Sequence, residues 1–244
     1  MSTCAERRLG PLTVRASTCE DFVGEVVSAV RERRAMRVAF ANTHLLYCAA
    51  RDPQLAEDLR AFCVVNDGVG VDLLSRIATG ERFPENLNGT DLTPRILGAL
   101  PEGARLYLFG AADHVAQAAA EHIKRRFPHV VLCGVRNGFA DTSEAIEDIT
   151  RAAPHLVLVA MGNPLQERLI TECSQRLGSV FIGVGALFDF MAGAAPRAPA
   201  AWRRLRLEWL FRLIREPQRL WRRYTVEILV LTALVCQERM LRRV

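Results

Sequence analysis

Residues 105–161 read RLYLFGAADHVAQAAAEHIKRRFPHVVLCGVRNGFADTSEAIEDITRAAPHLVLVAM. Three short apolar runs, Arg105 to Phe109, Val130 to Val135 and Leu156 to Met161, are separated by two segments of helical period, Val115 to Phe127 and Thr142/Ser143 to Ala152. Strands buried on both faces read as unbroken apolar runs, and parallel neighbours need a crossover helix between them. The stretch therefore predicts a parallel sheet with helices on both sides. Thr142 or Ser143, followed by acidic residues, reads as a capping-box helix start. The runs end in turn residues: Gly110-Ala-Ala-Asp113, Arg136-Asn-Gly-Phe139 and Gly162-Asn-Pro164.

The same alternation extends both ways. Upstream, Phe22 to Arg34 carries an apolar stripe at helical spacing and Met36 to Ala41 is a buried-strand candidate. Leu45 to Cys63 reads as helical, interrupted where Asp52-Pro53 supplies a cap and a first-turn proline. Cys63-Val64-Val65 then runs into the turn Asn66-Asp67-Gly68. Leu73 to Ala78 is helical, Phe83 to Gly89 is irregular, and Thr90-Asp91 is a candidate cap for a helix over Leu92 to Leu100. Downstream, Leu165 to Gln175 is a helix and Val180 to Val184 a last strand, running into Gly185-Ala-Leu-Phe-Asp189. The expected fold is α/β, a Rossmann-like parallel sheet flanked by helices. In open sheets of this kind, ligands lie at the carboxyl ends of the strands. Asn42, Asp67, Gly110, Asn137, Asn163, Gln166 and Asp189 are thus expected around one crevice. Neither G-x-G-x-x-G nor G-x-x-x-x-G-K-[ST] occurs, which disfavours a dinucleotide-dependent dehydrogenase or a P-loop NTPase.

The chain has 244 residues, half of them hydrophobic and 24% charged. That is a globular profile and excludes a disordered or collagen-like chain. The seven cysteines are scattered and form no C-x-x-C, so zinc and redox chemistry are not indicated. Cys48, Cys63, Cys133 and Cys173 read as small buried hydrophobes in a reducing compartment. No apolar segment follows the N-terminus, which predicts no signal peptide and a cytoplasmic location.

The net charge of +5 conceals an asymmetry. From Arg197 onward there are twelve arginines against four glutamates, a net of +8, so the preceding residues sum to −3. This end holds all three tryptophans, 202, 209 and 221, and an apolar stripe of Trp209, Leu210, Leu213 and Ile214 flanked by Arg206, Arg212 and Arg215. Basic amphipathic helices with tryptophan bind anionic bilayer surfaces. The other reading of the pattern is a terminal helix with its tryptophans in the core. A further helical pattern runs from Gln218 to Arg243, and its apolar stretch, Ile228 to Cys236, is far short of the roughly 20 residues that span a bilayer. The expected division is a core over residues 1–195 and a basic, helical, membrane-associating appendage over residues 196–244.

The turns carry further motifs in order: Asn66-Asp67-Gly68-Val69-Gly70, Asn88-Gly89-Thr90-Asp91-Leu92, Met161-Gly-Asn-Pro-Leu-Gln166-Glu167, Gly183-Val-Gly-Ala-Leu-Phe-Asp189-Phe-Met-Ala-Gly193, and Arg197-Ala-Pro with Trp202, Leu207-Glu208-Trp209-Leu210, Arg212 and Glu216-Pro217. This series, from about Val38 to Arg223, resembles the WecG/TagA/CpsF glycosyltransferase family. The resemblance implies an inverting, metal-independent transfer of a sugar from a UDP donor to a saccharide on undecaprenyl diphosphate, at the inner face of the bacterial membrane. N-acetylmannosamine, its uronic acid and glucose all occur as transferred sugars in the family. The appendage would close over the site and meet the anionic membrane, and self-association is common. No cofactor, metal or nucleic-acid partner is expected.

The same resemblance assigns roles. Asp67 matches the catalytic aspartate, a base for the acceptor hydroxyl; its Asp-Gly setting is equally that of a common turn. Asn42 matches a strand-end asparagine near the substrate, although Phe40 stands where the family often has threonine, so that the threonine's contact is missing or Thr43 or His44 supplies another. His44 is a second acid/base candidate or simply a helix-start histidine. Gln166 and Asp189 match positions near the nucleotide, and Gly110 and Asn137 would line the same crevice. Asp91 fits the family pattern or a helix cap. Asn86 replaces a frequent arginine, with Arg82 nearby. No D-x-D motif is present, so guanidinium forks are expected to hold the diphosphate, with Arg212 and Arg219 favoured over Arg215 and Arg222. A nucleic-acid-binding module and a non-catalytic nucleotide-sugar scaffold are the competing readings.

Overall fold

The computed structural model describes residues 5–241. Cys4 and the expected helix end at Arg243 lie outside them. An eight-stranded sheet forms the middle layer: β1 (Ala5–Leu9), β2 (Leu12–Ala16), β3 (Met36–Ala41), β4 (Cys63–Asn66), β5 (Arg105–Gly110), β6 (Val131–Arg136), β7 (Leu156–Ala160) and β8 (Val180–Gly183), in the order β1-β2-β4-β3-β8-β7-β5-β6. All neighbours are parallel except β1 and β2. The sequence reading places no element before Phe22, yet this hairpin extends the sheet beside β4. Its signal is the alternation of buried Leu12, Val14 and Ala16 with Thr13 and Arg15, a half-buried edge pattern rather than a long apolar run.

The inner strands bury both faces, and the period of two sorts them. Val38 and Phe40 of β3, with Leu156, Leu158 and Ala160 of β7, join one core layer. Ala39, Ala41, Val157 and Val159 join the other. Against the first layer lie α1 (Cys19–Arg31), α5 (Gly89–Ala99), α6 (Asp113–Arg126) and α9 (Leu187–Met191), through Phe22, Ile96, Ile123 and Phe188. Against the second lie α2 (Thr43–Arg51), α3 (Pro53–Asp58), α4 (Val69–Thr79), α7 (Thr142–Ala152) and α8 (Leu165–Ser174), through Leu45, Leu55, Val71, Ile146 and Ile170.

Caps decide the local details. Asp52 accepts from the backbone N–H groups of Gln54 and Leu55 and starts α3 at Pro53, as its sequence suggests. Two caps differ from expectation. Asn88, not Thr90 or Asp91, caps α5, because its Oδ1 accepts from the Asp91 N–H at 2.9 Å. Asp141 caps α7, accepting from Ser143 and Glu144, which places Thr142 inside the helix. Among the cysteines, Cys173 is buried, whereas Cys48, Cys63 and Cys133 are half-buried at helix and strand margins.

The basic end is four helices: α10 (Ala200–Arg204), α11 (Glu208–Arg215), α12 (Pro217–Tyr224) and α13 (Val226–Leu241). Arg206 breaks the first two apart with a left-handed φ of 59°. Leu231 and Val235 of α13 are buried in the second core layer, and Arg239 donates to the Ile77 carbonyl at 2.6 Å. The last helix is thus docked on α2 and α4. No tryptophan is in the core: Trp202 and Trp209 are half-buried, edge-on to Phe211 and Tyr224, and Trp221 is exposed. Among the described residues no helix is long and apolar enough to cross a membrane.

Candidate active site

Strand order reverses between β3 and β8: the chain runs from β3 outward to β4, then returns from the far side of the sheet to β8. A crevice at the carboxyl ends is expected where order reverses. A cleft of about 480 Å³ opens beside that point, over the ends of β3 and β4. Its core wall includes Asn42, Thr43, His44, Asp67, Asp72, Asn86 and Asp91; its opposite wall is Arg203, Arg206, Glu208, Trp209, Arg212, Arg223 and Tyr224 from the basic helices.

Asp67 sits directly after β4. Its N–H donates to the Ala41 carbonyl at 2.8 Å, extending the β3–β4 pairing by one residue. The chain then turns at Gly68, whose φ of 93° is a conformation that suits glycine. The Gly68 N–H donates to Asn86 Oδ1 at 2.7 Å. Asn86 therefore braces the Asp67 turn. Arg82 is not among the cleft-lining residues.

Protein surrounds Asp67 except where it faces the cleft. That burial pushes its carboxyl up to about 6, against the opposing pull of Arg212 and with repulsion from Glu208 and Asp91 adding to the rise. A carboxyl in this range is ionised at neutral pH yet basic enough to take a proton. Arg212 lies over the Phe190 ring, 5.9 Å from its centroid. Arg206 spans the cleft mouth to Asp72 Oδ2 at 2.7 Å, and Arg197 forms an ion pair with Asp91. Burial raises Asp91, but hydrogen bonds from Asn88 and Arg197 outweigh it and hold the carboxyl below its usual range.

Asn42 caps α2, its Oδ1 accepting from the Leu45 N–H at 2.9 Å, and its Nδ2 donates to Asn163 Oδ1 at 3.0 Å. His44 faces the cleft with Nδ1 3.0 Å from Glu227 Oε2 of α13. Its contacts with Cys48 and with Glu227 raise it to about 9. These contacts, opposed by burial and by Arg223, favour the imidazolium, the acid form of the side chain, at neutral pH. Phe40 turns away from the cleft under α5, where a Cβ on Gly89 would lie only 2.8 Å from its ring. Thr43, not Phe40, lines the cleft at this strand end.

The structure thus gathers Asn42, His44, Asp67, Asp91 and Arg212 in one cleft. It does not bring Gly110, Asn137, Gln166, Asp189 or Arg219 to the same wall. Gly110 needs its missing Cβ for packing, since that atom would lie 2.3 Å from the Ala160 carbonyl oxygen. Asn137 closes a turn onto the Phe139 N–H at 3.0 Å. Gln166 is buried and accepts from the Gly185 N–H at 3.0 Å. Asp189 is half-buried in the first turn of α9, with its main-chain oxygen accepting from Ala194 and Ala195. Arg219 is exposed and pairs with Glu216 at 2.5 Å, while Leu220, Arg223 and Tyr224 of α12 line the cleft. Arg223 and Arg206 line the cleft where Arg219 does not. Their signal, one helical face of the basic end, becomes readable only once the helix breaks at Arg206 and Thr225 are known.

A family model described as glycosyl transferase WecG/TagA/CpsF matches residues 7–244. The chain is similar to an N-acetylglucosaminyldiphosphoundecaprenol N-acetyl-beta-D-mannosaminyltransferase of Bacillus spizizenii, with 32% identity over 83% of this chain and 79% of that protein. It is similar to proteins of the same name in Bacillus subtilis, with 32% identity over 76% of this chain and 73% of that one, and in Staphylococcus aureus strain MW2, with 28% identity over 78% and 73%. The match across nearly the whole sequence leads to one assignment: this chain belongs to the WecG/TagA/CpsF family and is a glycosyltransferase.

Proposed function

We propose that the protein transfers N-acetylmannosamine from a UDP donor to N-acetylglucosamine carried on undecaprenyl diphosphate, with inversion, in the assembly of a cell-envelope polysaccharide. The sugar and acceptor are those in the relatives' names. The observation that carries the mechanism is Asp67, raised to about 6 on the floor of a cleft walled by Arg203, Arg206, Arg212 and Arg223.

In this reading Asp67 accepts the proton of the acceptor hydroxyl as its oxygen forms a bond to the anomeric carbon. The bond from that carbon to the diphosphate oxygen breaks on the opposite side, and its electron pair leaves with UDP. Single displacement inverts the anomeric centre. The negative charge that develops on the diphosphate is stabilised by guanidinium groups of the basic helices, with Arg212 foremost and no metal ion required. The His44 imidazolium adds positive charge on the core side. Asp189, half-buried beyond the cleft, would hold the nucleotide, whereas the buried Gln166 amide braces the strand ends from within.

The basic helices also suit a membrane surface. Leu205, Ile214, Trp221, Leu229 and Met240 are exposed apolar side chains among arginines. Such a face binds anionic headgroups and lets a cytoplasmic, peripheral enzyme reach a lipid-linked acceptor. The deciding experiment incubates the protein with a panel of UDP-sugars and a synthetic N-acetylglucosaminyl-diphospho-polyprenol, and weighs the product. A mass gain of one N-acetylhexosamine from UDP-N-acetylmannosamine alone supports the reading; a gain only from another donor overturns the sugar assignment.

A further inference from the structure

A chain of side-chain hydrogen bonds runs beneath the carboxyl ends of β3, β7 and β8, and its directions are fixed from both ends. At one end the Leu45 N–H, which can only donate, reaches Asn42 Oδ1 at 2.9 Å. Asn42 is therefore left to donate, from Nδ2 to Asn163 Oδ1 at 3.0 Å. Asn163 in turn presents its own Nδ2 to Glu167 Oε1 at 2.7 Å. At the other end the Gly185 N–H donates to Gln166 Oε1 at 3.0 Å, so Gln166 Nε2 donates to that same Glu167 Oε1 at 2.8 Å. Gly183 is a glycine for this reason: a Cβ there would lie 2.7 Å from Gln166 Nε2.

Two amides thus converge as donors on a single carboxyl oxygen. Glu167 is 1% exposed, and its second oxygen, Oε2, is buried without a partner. We propose that Glu167 is a positioning residue for the transfer: anchored by the buried Gln166 amide and accepting from Asn163 at the same atom, it fixes, through Asn163, the Asn42 amide that lines the cleft. This rests on the reading above, in which the cleft that Asn42 lines holds the reacting groups. Glu167 itself touches neither substrate.

The requirement is for an acceptor oxygen, not a charge. Burial raises Glu167 to about 7, while hydrogen bonds from Gln166 and Asn163 and the His44 charge pull the other way. A substantial fraction is therefore the neutral acid at neutral pH, and a carboxamide offers the same acceptor. Removing the acceptor would strand the buried Gln166 donor and the half-buried Asn163 donor, which the amides would relieve by turning away.

The test compares the full-length wild type with Glu167→Gln and Glu167→Met, the latter conserving length and volume without an acceptor. Turnover of UDP-N-acetylmannosamine with N-acetylglucosaminyl-diphospho-polyprenol is measured alongside thermal midpoints. Glu167→Met is expected to lower kcat/KM for both substrates more than tenfold, with at least one KM raised, and Glu167→Gln to restore it to within about threefold of wild type. A merely structural role would lower the active fraction and leave both KM values unchanged. Wild-type kinetics in Glu167→Met, or a Glu167→Gln variant as poor as Glu167→Met, overturns the proposal. If the wild type itself fails to turn over this substrate pair, the functional reading falls. The side-chain amide resonances of Asn163 and Gln166 in labelled protein then decide the positioning role alone: it holds if they move in the Met variant and return in the Gln variant, and fails if the Met variant leaves them in place.

Discussion

Replacing Arg212 by methionine should move the acid limb of the rate profile upward. Burial raises the Asp67 carboxyl to about 6, and the Arg212 guanidinium is the foremost group holding it down. A carboxylate that loses a nearby cation gains about one pH unit or more. The wild-type rate should therefore fall below pH 6, to about a tenth of its plateau at pH 5, where an ordinary aspartate near 3.9 would still be more than about nine-tenths ionised. In Arg212→Met the midpoint should lie near 7. At pH 6 the variant then retains about a tenth of its own plateau against about half for wild type, an extra loss of about fivefold. The plateau should also drop, because the leaving diphosphate loses a guanidinium. Glu208→Gln removes a repelling carboxylate and should move the same limb downward. Initial rates from pH 5 to 8.5 at constant ionic strength, with thermal midpoints as a folding control, provide the measurement. A limb that stays put in both variants would refute the placement of Asp67 as the titrating base.

Asp67→Asn keeps the shape but cannot accept a proton, so kcat should fall by about 10²–10⁴ without loss of fold, as read by rates and circular dichroism. Leu231→Ala empties a buried position where α13 meets α2 and α4, and should cost about 2–5 kcal/mol in urea unfolding. It should also lower activity, because α13 carries the Glu227 that faces His44; an equally stable, equally active variant would show that α13 docks elsewhere. The double variant Ile214→Ser, Trp221→Ser removes two exposed apolar contacts and should weaken sedimentation with anionic vesicles while leaving binding to neutral vesicles low. EDTA should leave turnover within about twofold of the untreated enzyme, since the guanidinium wall is assigned the charge that a metal would otherwise offset; a collapse in rate restored by a divalent cation would remove the arginines from that role.

The sequence by itself determined the layered sheet, because strands buried on both faces must be apolar at every position and therefore announce themselves as runs. It also marked Asn42 and Asp67, since a polar residue directly after such a run has to sit at a strand end. The hairpin at β1 and β2 escaped because an edge strand buries one face and shows only alternation over five residues. What tertiary structure alone decided is which strand ends share a wall. Asn42 and Asp67 are neighbours because β3 and β4 pair, whereas Asn137 lies after β6 at the far edge of the sheet. It also chose among the arginines: Arg212 and Arg223 face the cleft and Arg219 does not, because the backbone breaks at Arg206 and Thr225 set the rotation of each short helix. Residue types fix what a side chain can do, but strand order and helix phase arise from contacts distant in sequence, and these decide what it can reach.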